Sequence, residues 1–201
     1  MGGAVNRNEP NNVDSIRKHP AVMQIFEQAG WLQFLEKFQG FDLDLTMEFA
    51  RSFDGSQATV RRLNILVSEE SLSRVTGLSL QGEKWYKNFK VAPESWIPFL
   101  KAPPPLPDLR RGIARDLLSS PWDEVVFHLQ KFVTCEGRYN LVHHYHIRIL
   151  LHLKGDKPLS MPYFLHKSLS KMAKFLRKKQ NPETVLYHRG LIMMNINEEL
   201  I

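Results

Sequence analysis

The chain has 201 residues, 43% of them hydrophobic, and carries 27 Lys and Arg against 21 Asp and Glu, a net charge of +6. That suffices for one substantial core, while no uninterrupted apolar run approaches the roughly 20 residues that a membrane-spanning helix needs. The lone Cys135 excludes an internal disulfide, so a soluble protein in a reducing compartment, nuclear or cytoplasmic, is expected.

Residues 1–12 are rich in Gly and Asn and read as a disordered tail, leaving one helix-rich domain over 13–201. Pro20 opens a helix with Val22, Met23, Ile25 and Phe26 that ends near Gly30. Trp31, Leu32, Phe34, Leu35 and Phe38 form a second apolar stripe ending at Gly40, and Thr46 is placed to cap a third helix with Met47, Phe49, Ala50 and Phe53. From Ala58 to Val67 the period becomes two. Thr59, Arg61, Leu63, Ile65 and Val67 fall on one side, which predicts a strand or hairpin bent near Arg61-Arg62, the one clear β signal in the chain. Ser68 caps a short helix, Glu69 to Thr76, with two carboxylates in its first turn and Gly77 as its stop.

Ser79 to Val91 has no period and reads as irregular. Prolines dominate the stretch at about 92–108, including Pro103-Pro104-Pro105 and Pro107, which reads as a stiff connector with one or two helical turns between Glu94 and Leu100.

The segment from Ser120 to Leu153 organises the chain as two helices joined at Gly137. Ser120 is placed to cap the first, with Pro121 at its first helical position and Trp122, Val125, Val126, Leu129, Phe132 and Val133 on one face. The second, Tyr139 to Leu153, is apolar nearly all round and is expected to be enclosed by neighbours. Ser160 with Pro162 opens a further helix reaching about Lys179, and Asn181-Pro182 breaks it. Glu183 to His188 and Leu191 to Leu200 complete the chain as helical pieces. The apolar set Leu191, Ile192, Met193, Met194, Ile196, Leu200 and Ile201 is expected to pack on the core or across a dimer. The fold class is therefore mainly α, a single helical globular domain with one small β-hairpin.

Clustered charge is the strongest binding signal. Lys167, Lys171, Lys174 and Lys178 lie in a narrow arc of the predicted 160–179 helix, opposite Leu165, Leu169, Met172 and Leu176, with Arg177 and Lys179 widening the basic end. Such a stripe suits a nucleic-acid backbone, an anionic lipid surface or an acidic protein, and it is equally what the solvated face of a docked helix looks like. Lys84, Lys87 and Lys90 interleave with Trp85, Tyr86 and Phe89, a pattern that fits stacking on single-stranded nucleic acid or core aromatics with outward lysines.

Catalytic chemistry is harder to assemble. His143 and His146 share a face one turn apart, but His144 and His152 point elsewhere and no second ligand motif accompanies them, so these residues read as hydrogen-bonded members of a buried helix rather than a metal site. Cys135 and His128 are about two turns apart, too far for a nucleophile and base. No phosphate loop or nucleophile elbow is present, and no cofactor is implied. The expected function is non-enzymatic, a protein-interaction module that binds a protein partner or itself. Nucleic-acid binding through the lysine stripe is the alternative, and an enzyme built on the His-rich helix a second one.

Several phrases resemble plant proteins associated with transposons and retroelements, with a looser likeness to plant mobile domains. They are Gly30-Trp31, Val67-Ser68-Glu69-Glu70-Ser71 with Val75-Thr76-Gly77-Leu78, Gly82-Glu83-Lys84-Trp85, and Phe127-His128 leading to Lys131-Phe132-Val133-Thr134-Cys135-Glu136-Gly137-Arg138. The resemblance covers roughly Ala29 to Leu153. It implies a plant source and a nuclear or cytoplasmic setting, and it carries no catalytic residues. A zinc knuckle needs more than the single cysteine, and a transposase needs an acidic triad on a nuclease fold that this helical pattern does not suggest.

Overall fold

The computed structural model describes residues 12–37, 42–87, 90–102, 112–134, 139–176 and 189–199. Helices α1 (Asn12–Arg17), α2 (Pro20–Gln28) and α3 (Leu32–Glu36) are followed by α4 (Leu43–Ser52), strands β1 (Gln57–Val60) and β2 (Leu63–Leu66), and α5 (Glu69–Thr76). A 3-10 stretch, Pro93–Phe99, leads to β3 (Ile113–Ala114) and α6 (Trp122–His128). Then come β4 (Leu141–Val142), α7 (His144–Leu153), α8 (Met161–Leu176) and α9 (Arg189–Glu199). The N-terminal helices pack with α6 and α7, and α4, the hairpin and α5 pack with α8 and α9. One core joins the two sets, running from Ile16, Phe26 and Trp31 through Ile147 and Leu150 to Leu169, Ile192 and Ile196.

The mainly α class with a small β component is thus observed. The expected helix stops and starts are partly realised and partly displaced. Ser68 and Ser71 exchange side-chain and backbone bonds at the start of α5, and Gly77 ends it at a φ of 76°. At α4 the cap is Asp42, whose carboxylate accepts the Leu45 N–H at 3.0 Å. Thr46 lies inside the helix, buried, with its hydroxyl donating to the carbonyls of Asp42 and Leu43. Ser160 precedes α8 and its carbonyl accepts the Phe164 N–H at 3.1 Å, but its buried hydroxyl has no partner among the described residues.

The central segment differs most. Ser120 does not cap α6: Pro121 occupies the N-cap position, without a side-chain bond, and the helix begins at Trp122. Past His128 the coil widens into a π-helical turn, Leu129–Val133. Tyr139 does not start the next helix, because Leu141–Val142 pairs with Ile113–Ala114 as a second antiparallel ladder and α7 begins only at His144. Tyr139, Leu141 and Val142 looked helical because periodicity cannot separate a two-residue strand from a helix start. Helix α1 was also absent from the sequence reading, which placed Asn12 in the tail.

The hairpin bends at Arg61-Arg62 as expected, but its inward face is Ala58, Val60, Ile65 and Val67. A two-residue turn pairs Val60 with Leu63, so parity switches across it and Thr59, expected beside Ile65, faces outward. The α9 residues Leu191, Ile192 and Ile196 are buried on the core, with Met193 and Met194 half-buried. Expectations for residues 1–11, Phe38 to Gly40, the run Pro103 to Asp108, Cys135 to Gly137, and Asn181 to His188 lie outside the described residues, as do those for Leu200 and Ile201.

Candidate interaction surfaces

Lys167, Lys171 and Lys174 project from the exposed side of α8, while Leu165, Leu169 and Met172 are buried beneath them. With a rise of about 1.5 Å per residue, the three ammonium groups follow a line of about 10 Å. None has a carboxylate partner among the described residues. The continuation of the stripe, Arg177, Lys178 and Lys179, lies outside them. Tyr163, one turn before Lys167, was not singled out in the sequence. Lys167 Nζ lies 5.3 Å from the centre of its ring and Lys84 Nζ lies 5.7 Å from the same centre. Two lysine groups that are 83 residues apart in the sequence, as 167 less 84, therefore meet at one tyrosine.

Lys84 is also engaged: its ammonium is 2.9 Å from Glu69, a bond that raises its pKa. Lys87 sits over Tyr145 at 4.4 Å, and Lys90 is exposed. Trp85 is buried and Tyr86 packs on Phe164, with ring centres 5.1 Å apart, so these aromatics face the core. Phe89 lies outside the described residues.

The histidines hold loops. His144 Nδ1 accepts the Val91 N–H, His146 Nδ1 accepts the His143 N–H at 2.9 Å, and His152 Nδ1 accepts the Leu159 N–H at 3.0 Å. An accepting Nδ1 requires a neutral ring, and burial lowers the pKa of His146 well below the ordinary range and that of His152 to about 4. His143 and His146 do share a face, their rings 5.9 Å apart. His128 differs from these. It is buried beneath Phe127 and Phe132, neither ring nitrogen has a partner among the described residues, and desolvation, with His19, Lys131 and Arg115 nearby, lowers its pKa to about 4.

Arg148, in the middle of apolar α7, donates to the carbonyls of Lys157 and Pro158 and to Glu83. Its signal in the sequence was a lone cation in an apolar helix, which needs buried acceptors. Two of those acceptors are carbonyls of the α7–α8 connection and the third is the Glu83 carboxylate of the Gly82-Glu83 strap, which is tied to that connection by its N–H donating to Pro158 O and its carbonyl accepting from Ser160 N–H.

The hairpin presents the other open surface. Ser52 Oγ takes the N–H of Thr59 at 2.9 Å and donates to its carbonyl at 2.8 Å, and Glu48 accepts the Arg61 N–H at 2.8 Å, so α4 occupies the free edge of β1. A groove of about 580 Å³ runs there, lined by Asp44, Glu48, Arg51 and Thr59 among others. Across the hairpin, β2 carries Leu63 and Leu66, 40% and 61% exposed. The backbone groups of Asn64 and Leu66 on that edge have no partner among the described residues. Comparison with protein-family models, curated proteins and solved structures finds no match.

Proposed function

We propose that this chain is a non-enzymatic protein-interaction domain whose working surface is the hairpin. The observation that supports this reading is the edge of β2, unpaired among the described residues, which presents backbone donors and acceptors beside exposed Leu63 and Leu66, the arrangement by which sheets add a strand from a partner. The His-rich helix, the basis of an enzyme reading, spends its Nδ1 acceptors on loop amides. Descent from plant mobile-element proteins rests on the resemblance of the Ser68 to Leu78 and Gly82 to Trp85 phrases. A photo-crosslinking residue at Leu66, compared with one at the similarly exposed Leu117, tests the surface in an extract. Protein adducts at Leu66 and not at Leu117 are expected; equal labelling would remove the hairpin as the working face.

A second reading is nucleic-acid binding, favoured by the meeting of Lys84 and Lys167 at Tyr163, which extends the α8 stripe into a longer basic face. Charge reversal of Lys167, Lys171 and Lys174 should then abolish binding to nucleic acid and flatten its salt dependence. Retention at low salt that is indifferent to those substitutions would sink it.

A further inference from the structure

The turn that closes the hairpin is built from residues ill suited to it. Arg61 and Arg62 have φ of 48° and 68°, so both central positions of a two-residue type I′ turn are left-handed, where Asn-Gly is strongly preferred. Both arginine side chains are exposed, and neither has an ion-pair partner among the described residues. Strained non-glycine backbone that displays two cations at the tip of a hairpin points to a use for those cations.

The register shows what lies beside them. Val60 pairs with Leu63 and Ala58 with Ile65, and the alternation of bonded pairs sends the backbone groups of Asn64 and Leu66 away from β1. Val67 N–H donates to Ser56 O at 2.7 Å, which confirms the phase of that alternation. The other end of β2 runs into Ser68, Glu69 and Glu70. Glu70 is exposed at the start of α5, its carboxylate held by its own amide and by Ser68 and without a salt bridge among the described residues, while Glu69 is held by Lys84. The edge strand therefore has cations at its beginning and carboxylate at its end, and a strand of that polarity is complementary to itself only when reversed.

We infer that β2 is a self-pairing edge, on which a second copy of this chain adds antiparallel. This rests on the interaction reading above and names its partner. A two-fold axis at Ile65 sets Asn64 of each copy opposite Leu66 of the other, giving about four backbone bonds across the axis. The same axis lays Arg61 and Arg62 of one copy along the Ser68 to Glu70 segment of the other. A parallel approach, or one with the tips together, would oppose four arginines. Exposed Leu66 of each copy is covered beside Asn64 of its mate, on the outward face of the hairpin. Because the paired strands are short, the association is expected to be weak, in the range of tens of micromolar.

Sedimentation of the nuclease-treated full chain between about 1 and about 300 µM tests this. Monomer passing to dimer with rising concentration is expected, weakened by salt. Arg62→Glu and Glu70→Arg should each weaken dimerisation by about tenfold, and the double variant should recover most of it. Both positions are exposed, and circular dichroism checks that the fold persists. A chain that stays monomeric at the highest concentration overturns the proposal, as does a dimer indifferent to both single charge reversals. Protein adducts at Leu66 from a strictly monomeric chain would overturn self-pairing while sustaining the interaction reading; a monomer without such adducts would remove both.

Discussion

Arg148 Nη2 lies 2.7 Å from Glu83 Oε2, and the two ends of this ion pair sit in different surroundings, the arginine side chain 4% exposed and the glutamate 60%. The asymmetry decides what each side contributes. Removing the arginine takes its donor from the Lys157 carbonyl and leaves the Pro158 carbonyl only the Glu83 N–H, whereas a truncated Glu83 is replaced by water. Arg148→Met should cost about 3 kcal/mol of unfolding free energy and Glu83→Gln about 1 kcal/mol or less, measured by urea denaturation. Equal losses would mean that the pair is not anchored from within.

Acid should destabilise the chain before its carboxylates titrate. The pKa values of His128 and His152 are lowered to about 4, and that of His146 is also lowered by burial, against an unfolded value of about 6.5. The folded state therefore refuses protons that the unfolded chain accepts. The stabilisation is complete above pH about 6.5 and is lost as pH falls toward 4, with His128 alone contributing up to about 3 kcal/mol at 1.36 kcal/mol per unit. His128→Phe keeps a ring against Phe132, removes two unpaired nitrogens, and should raise stability at neutral pH by about 1 kcal/mol. It should also flatten the pH dependence between 4 and 6.5. A variant whose pH profile still matched the parent would show that the titration lies elsewhere.

What could be read from the sequence follows from the range of the forces involved. Ser68 and Gly77 were legible because capping acts within four residues, and the Arg61-Arg62 bend because two charged residues sit midway along an alternating stretch. The buried face of α8 was legible for the same reason, Leu165, Leu169 and Met172 repeating at the helical period. The hairpin's inward face was misread because parity depends on the length of the turn, which alternation alone does not show. Pairing of β3 with β4, the junction of Arg148 with Glu83, and the meeting of Lys84 with Lys167 at Tyr163 join residues 27 to 83 positions apart, since Ala114 faces Leu141 at one end and the lysines meet at the other. No local pattern encodes such separations. The open edge of β2 could be found only once Ser52 and Glu48 were seen to close the edge of β1.

The hairpin tip should trade stability against association. Replacing Arg61-Arg62 by Asn-Gly relieves two left-handed non-glycine residues and should stabilise the monomer by about 1–2 kcal/mol. Because it also removes both tip cations, the same variant should lose concentration-dependent sedimentation. A more stable chain that still dimerises would separate the strain from any interface and leave the turn as a local defect.

Two glycines with positive φ should respond very differently to a methyl group. At Gly77, φ 76°, a Cβ would meet nothing within 4 Å, so Gly77→Ala bears only the left-handed penalty of about 1–2 kcal/mol. At Gly82, φ 113°, the Cβ would lie 2.6 Å from the Leu159 nitrogen and 2.7 Å from the Pro158 carbonyl carbon. Those are backbone atoms and cannot swing aside. The strap would have to lift from the α7–α8 connection, breaking the Glu83 N–H bond to Pro158, the Ser160 bond to Glu83 and the approach of Glu83 to Arg148. Gly82→Ala should therefore cost more than about 3 kcal/mol, and its effect should not add to that of Arg148→Met, since both dismantle one junction. Thermal and urea unfolding of the two single variants and the double variant measure this. Full additivity would show that the strap and the buried arginine stabilise the fold independently.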